Sequence, residues 1–311
     1  MSRPGSGPEP LTGAAGSGSL RGNGSLRGHG LLAKLGWALR SEPGDVRPHN
    51  EDYAGAYAPI SPDDAWDRGP LFVVCDGLGG HVAGDVASRA AVESALAAWT
   101  APDPAPPSAA LRAAARAANS AVFDAAIEHR RRGMATTFTA LTLAGREAVI
   151  AHVGDSRCFQ VRRGTCTQLT SDHSRVAEMV RKGLLTPERA AEHPDRSQLL
   201  RAVGLEPVVQ VDVVKAATEA GDIFVLCSDG LWDMVTSDEI AERAGAVGTP
   251  AVPTVVDAAE QLVDLALRAG TTDNVTVLVV KVTTDRAVPA AGARRPFFRR
   301  DRAWRAFNPT R

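Results

Sequence analysis

Two stretches of this chain obey one restrictive rule: a short, wholly apolar run ends abruptly at an acid. Leu71-Phe72-Val73-Val74-Cys75 leads into Asp76-Gly77-Leu78-Gly79-Gly80-His81, and Ile223-Phe224-Val225-Leu226-Cys227 leads into Ser228-Asp229-Gly230. Runs this short, rich in β-branched and aromatic residues, read as buried strands and not as helices. Each acid then stands where its strand leaves the core. The glycines beyond it let the backbone turn tightly and come close to whatever the carboxylate holds. A charge placed there is either capped by a helix N-terminus or paired with a cation.

At 311 residues the chain is long enough for a substantial core, in one large domain or two small ones. Apolar content of 44 % and charged content of 23 % are ordinary for a soluble globular protein, and 5 % aromatics imply a mostly aliphatic core. The four cysteines (Cys75, Cys158, Cys166, Cys227) show no C-x-x-C spacing. They read as small buried hydrophobes in a reducing compartment, so a cytoplasmic location is expected. No stretch approaches the roughly 18 apolar residues that a membrane span requires. The Gly, Ser and Pro of the N-terminus do not form a signal pattern. Eight arginines against two aspartates give residues 285–311 a charge of +6, leaving −7 on the rest. An acidic body argues against a nucleic-acid surface and suits one that concentrates carboxylates for metal.

Composition divides the chain into three parts. Residues 1–36 are expected to be a disordered Gly/Ser/Arg-rich tail, with Leu31 to Leu39 either a short helix or the lead-in to a strand. Residues 37–284 are expected to fold as one domain. Within it, helical spacing runs from Ala83 to Thr100, and a second Ala-rich helix is expected from Ser108 to about His129. Strands are expected at Tyr53 to Ile60, Thr137 to Leu143, Ala148 to Val153, Cys158 to Val161, Val208 to Val214, Asp222 to Cys227 and Asn274 to Val282. A small helical flap is expected at about 172–200, and a helix from Val255 to Ala269 ends at Gly270. This order lacks the regular alternation of a parallel doubly wound sheet and fits an α+β fold of antiparallel sheets flanked by helices. Residues 285–311 mix arginines with Phe297, Phe298, Trp304 and Phe307. They read as a flexible basic tail or as a segment that contacts a partner or a membrane surface.

Four acidic stations stand beside apolar strands: Glu51-Asp52, Asp76, Asp229 and Asp273. If the strands lie side by side, these carboxylates converge and repel one another unless cations intervene. Oxygen ligands without nearby His or Cys select hard ions, Mg²⁺ or Mn²⁺. The residues themselves therefore point to a carboxylate-rich divalent-metal site.

Six motifs in order add a family resemblance. Arg47-x-x-Asn50-Glu51-Asp52, Asp76-Gly77-x-Gly79-Gly80-His81 and Gly154-Asp155-Ser156-Arg157 are the first three. Leu169-Thr170-x-Asp172-His173-Ser174, Ser228-Asp229-Gly230-Leu231-Trp232-Asp233 and Asp273-Asn274-Val275-Thr276 are the rest. Together they resemble the signatures of the metal-dependent (type 2C, or PPM) serine/threonine protein phosphatases, in their bacterial form, over roughly residues 40–283. The resemblance implies an antiparallel β-sandwich with helices on both sides (αββα), carrying the metal site at one edge.

It also implies that Asp76 bridges two Mn²⁺ or Mg²⁺ ions, that the Gly77 carbonyl completes one shell, and that Asp229 and Asp273 bind the other ion. Glu51 and Asp52 would reach the metals through water, and Asp155 and Asp233 would hold a third, weaker ion. Arg47 would grip the substrate phosphate. The implied reaction is direct in-line hydrolysis of phosphoserine and phosphothreonine by a water held between the ions. Implied partners are phosphorylated proteins, a serine/threonine kinase among them, met by a monomer.

Two positions depart from the family pattern. Leu78 stands where many eukaryotic members carry a histidine, which makes His81 the candidate proton donor or else a capping residue. Ala135 replaces a customary glycine. His173 reads as a turn residue, and Ser156 with Arg157 as holding the turn that aims Asp155. Two further readings remain. A non-catalytic module of the same fold is disfavoured because every acidic position and Arg47 are filled. A small-molecule phosphomonoesterase stays open on physical grounds, whereas the acidic body argues against a nuclease.

Overall fold

The computed structural model describes residues 16–20, 25–32, 35–58, 69–78, 83–101, 105–128 and 133–283. The first strands are β1 (Gly16–Leu20), β2 (Leu26–Leu32), β3 (Leu35–Glu42), β4 (Tyr53–Tyr57), β5 (Leu71–Cys75) and β6 (Gly77–Leu78). Helices α1 (Gly84–Thr100) and α2 (Pro107–Glu128) follow, then β7 (Ala135–Thr136), β8 (Phe138–Ala144), β9 (Glu147–Val153), β10 (Arg157–Arg162) and β11 (Thr165–Gln168). The flap carries α3 (Arg175–Arg181) and α4 (Pro187–Ala191). Strands β12 (Asp212–Ala217) and β13 (Ile223–Cys227), helices α5 (Asp229–Trp232), α6 (Ser237–Gly245) and α7 (Val255–Arg268), and β14 (Val275–Val282) complete the chain.

Two antiparallel sheets face each other. One has the order β1-β2-β3-β14-β13-β10-β11, the other β12-β9-β8-β5-β4, and β6 pairs with β7 as a small separate ribbon. The two acid-terminated runs become an interior strand in each sheet. Phe72 and Val74 of β5 pack with Phe224 and Leu226 of β13 between the sheets, where Trp37 meets Phe72 at 6.1 Å between ring centroids. Leu71, Val73 and Cys75 turn the other way, under α1 and α2. Ile223, Val225 and Cys227 turn outward under α6 and α7. Burial on both faces explains why neither run alternates with polar residues. Each fully buried Phe or Leu contributes about 1.5–3 kcal/mol. The layers are helix, sheet, sheet, helix, as the α+β reading requires. Among the described residues no helix is long and apolar enough to cross a membrane.

Three expectations are corrected. Part of the tail expected to be disordered, 1–36, forms strands: β2 pairs with β3 from Leu26↔Ser41 to Leu32↔Leu35, and β1 pairs with β2. Backbone pairing does not need apolar side chains, and Arg27 is fixed by Glu42 (3.1 Å) and Glu260 (2.5 Å). The rest of that tail, and residues 285–311, lie outside the described residues. The strand expected at Val208–Val214 begins only at Asp212. Just before it, Asn119 donates to the carbonyls of Glu206 and Pro207 and accepts the Gly204 N–H, which holds the chain by a side chain in place of a ladder. Lastly, Leu31–Leu39 is neither helix nor lead-in; it spans the end of β2 and most of β3.

Candidate metal and phosphate site

The acid-bearing stretches leave their strands at one rim of the sandwich. Asp76 follows β5, Asp229 follows β13 and opens α5, and Asp273 precedes β14. Glu51 and Asp52 precede β4, and Asp155 lies on the turn from β9 to β10. The rim is stitched by short polar links across great sequence distance. Ser228 Oγ donates to Asp52 Oδ2 at 2.6 Å and accepts the Thr276 N–H at 3.0 Å. Asn274 accepts the Glu51 N–H at 2.8 Å and donates to the carbonyls of Pro43 and His49, which pins the loop carrying Arg47. At Gly77 a Cβ would lie 2.2 Å from the Gly84 carbonyl oxygen and 2.6 Å from that of Glu51, so only glycine fits. The Gly77 carbonyl oxygen and the Glu51 carboxyl carbon each lie 2.8 Å from where a Cβ of Gly84 would stand.

The electrostatics show how crowded these acids are. Burial, with the charges of Asp229, Asp52, Asp155 and Asp273 added, drives the Asp76 carboxyl well above the carboxylate range. Burial and Asp229 push Asp155 up to about 8. Burial raises Asp52 to about 7 against the hydrogen bonds of Ser228 and Thr276. Asp229 rises to about 6, held back by its hydrogen bonds with Asp76 and the Gly230 N–H. Burial also raises Asp233, although Arg196 at 3.3 Å opposes the shift.

Two buried oxygens, Glu51 Oε1 and Asp229 Oδ1, have no hydrogen-bond partner. A partnerless buried carboxylate oxygen costs about 1–3 kcal/mol or more unless something positive meets it. Among the described residues no group of three His, Cys, Asp or Glu side chains is gathered so that it could hold a metal ion by itself. A hard ion held here would keep several waters among its ligands, as Mg²⁺ ordinarily does. The oxygen-only donors, the mutual repulsion and the orphaned oxygens all fit a divalent cation.

Arg47 Nη2 donates to Asp273 Oδ2 at 2.7 Å, and this contact is the main reason its guanidinium is held above its ordinary value. Arg47, Asp155, Asp229, Asp233 and Asp273 line one cavity of about 930 Å³ that extends to the flap residues Val176, Val180 and Arg181. Glu51, Asp52, Asp76 and Gly77 are not among its lining residues. His81 lies outside the described residues.

Several supporting residues were missed by sequence reasoning or given only a turn role. Arg157 lies 3.6 Å over the Trp232 ring and grips Asp172 through Nε and Nη2 (3.2 and 2.7 Å). His173 is buried and accepts the Gly154 N–H at Nδ1 (3.1 Å), which agrees with a turn residue. Ser228 and Asn274 lie within the motifs but gave no sign of their bracing role, and Thr137 gave no local signal of its own.

The protein phosphatase 2C family profile matches residues 57–265. The chain belongs to the protein phosphatase 2C family. The serine/threonine protein phosphatase PstP of Mycobacterium tuberculosis is 40 % identical over 251 residues, which are 80 % of this chain and 45 % of that protein. The chain thus spans less than half the length of PstP. Serine/threonine phosphatase stp of Listeria innocua is 35 % identical over 247 residues, 78 % of this chain and 94 % of that protein. Among solved structures, the catalytic domain of PstP in complex with two manganese ions superimposes with a TM-score of 0.67 at 38 % identity, covering 80 % of this chain and 99 % of that one. The αββα architecture of this phosphatase 2C chain matches that of the PstP catalytic domain.

Proposed function

We propose that this chain is a metal-dependent serine/threonine protein phosphatase using Mn²⁺ or Mg²⁺. The observation that carries the reading is the convergence of Asp52, Asp76, Asp155, Asp229 and Asp273 at one rim, where each of the first four has its carboxyl raised by burial and its neighbours. The two manganese ions of the PstP catalytic domain support it. On this reading Asp76, the Gly77 carbonyl, Asp229 and Asp273 would hold two ions, and Glu51 and Asp52 would orient water around them. Asp155 and Asp233 would take a third. Such a pair of ions supplies Lewis-acid charge and lowers the pKa of water near a phosphoryl group.

The chain's own part is binding and alignment. Arg47 sits on the cavity wall beside Asp273, and its planar fork matches two oxygens of a phosphoryl group once it is released from that carboxylate. The Arg47 fork thereby orients the phosphorus for in-line attack. His81 is the candidate donor of the leaving-group proton. The cavity continues past the acids to Val176, Val180, Pro187 and Trp232, giving room for residues that flank a phosphorylated side chain. Partners on this reading are phosphoproteins in the cytoplasm, an opposing kinase among them, met by a monomer. The +6 tail at 285–311 would serve partner or membrane-surface contact.

The test compares Mn²⁺-loaded protein on a phosphothreonine peptide, a small sugar phosphate and a phosphodiester. The peptide should be favoured in kcat/KM by at least about tenfold, since only it reaches the flap side of the cavity. Preference for the sugar phosphate would replace this reading with a small-molecule phosphomonoesterase. No turnover of any substrate would leave a non-catalytic module.

A further inference from the structure

Asp76 and the Asp155-Ser156 turn belong to separate stretches of chain, yet a row of buried hydroxyls binds their backbones together. The Asp76 N–H donates to Thr137 Oγ1 at 2.8 Å, and Thr137 Oγ1 shares a hydrogen bond with Ser156 Oγ at 2.7 Å. The Asp76 carbonyl accepts from both the Thr137 N–H and the Thr136 hydroxyl, each at 2.8 Å. Two residues further on, the Thr139 hydroxyl donates to the Ser156 carbonyl at 3.0 Å. Thr136, Thr137, Thr139 and Ser156 are all fully buried. The other face of Thr137 is equally committed. Gly154 has φ of +110°, and a Cβ there would lie 2.7 Å from Thr137 Cβ and Cγ2.

A hydroxyl carries one proton and two lone pairs, so Thr137 can accept from Asp76 while pairing with Ser156. Both contacts land on acid-bearing stretches: the backbone of Asp76 itself and the residue next to Asp155. We propose that Thr137 is a positioning residue, whose hydroxyl fixes Asp76 and Asp155 relative to one another for cation binding. The proposal rests on the functional reading above. Groups that orient metal ligands commonly govern affinity about as strongly as the ligands they support.

Valine keeps the methyl groups of threonine and removes the hydroxyl, whereas serine keeps the hydroxyl and removes the methyl. The experiment titrates metal-stripped wild type, Thr137→Val and Thr137→Ser with Mn²⁺ in a calorimeter, with circular dichroism as the check on fold. Thr137→Val should weaken Mn²⁺ binding by about 10- to 100-fold, and Thr137→Ser should return it to within about threefold of wild type. Affinity in Thr137→Val equal to wild type overturns the proposal, and so does a serine variant as impaired as the valine one. If Thr137→Val does not fold, Ser156→Ala removes only the far partner and should cost about tenfold; unchanged affinity there also overturns the proposal. Failure of the functional reading shows separately, as wild-type protein that binds Mn²⁺ and leaves phosphopeptide intact.

Discussion

The ends of β5 and β13 are written alike and held differently. Both strands are five apolar residues closing on a cysteine, both are buried on two faces, and both release an acid at the same rim. At β5 the acid follows the strand directly, and its backbone is gripped by hydroxyls from Thr136 and Thr137. At β13 a serine is interposed. Ser228 provides its own side chain as the link, to Asp52 and to Thr276, and Asp229 is free to begin α5. The carboxyls differ accordingly. Burial and four other acids raise Asp76 further than Asp229, which keeps hydrogen bonds with Asp76 and the Gly230 N–H and reaches only about 6. Similar apolar runs deliver the acids to one place; the polar residues beside them decide how much charge each can carry without a cation.

The sharpest way to break this comparison is to neutralise each acid in turn. Asp76→Asn and Asp229→Asn should each lower kcat/KM with Mn²⁺ by at least ~10³-fold, about 4 kcal/mol of barrier, with the larger loss at Asp76. Asp76→Asn should also raise the melting temperature of the metal-free protein at pH 8, because it removes the most crowded charge. Near-normal turnover in either variant would take that residue out of the site.

Ser228→Ala sharpens the contrast in supports. It removes one of the two hydroxyl partners of the Asp52 carboxyl and strands the Thr276 N–H, and should cost about 1–3 kcal/mol of stability in chemical denaturation. A loss below about 0.5 kcal/mol would mean that water replaces the serine.

The remaining effect concerns pH. Asp52 and Asp155 titrate at about 7 and about 8 in the folded metal-free protein, against 3.8 for an ordinary aspartate. Between those limits the folded state holds more protons than the unfolded chain, so stability is full below about pH 4 and declines as pH climbs through 7 and 8. The melting temperature of metal-free protein should therefore fall by several degrees from pH 5.5 to 8, roughly 2–4 °C per kcal/mol. A flat or rising profile would show that these acids are not crowded in solution.

What was legible in the sequence was local. The runs at 71–75 and 223–227 signalled strands because burial on both faces removes polar alternation, and the acids after them stood out against that background. Thr236 and Glu239 form a capping box that opens α6, a signal present in the sequence but not used. The strands at 16–20 and 26–32 could not be read, since Gly-Ser-Gly-Ser and Arg-Gly-His-Gly give no apolar alternation; β1 is held by β2 and β2 by β3. The supports were equally hidden. Thr137 reaches Asp76 across 61 positions and Ser228 reaches Asp52 across 176, and nothing local distinguishes such hydroxyls from ordinary strand residues.

The central claim is that these crowded acids form a site for divalent cations. It is tested most directly by titrating metal-stripped protein with Mn²⁺ at pH 7 in buffers of different ionisation enthalpy, which reports stoichiometry and proton release together. The account predicts at least two ions per chain and a net release of protons, as carboxyls raised by crowding give them up to the metal. Absence of Mn²⁺ binding, or binding with no proton released, would contradict it.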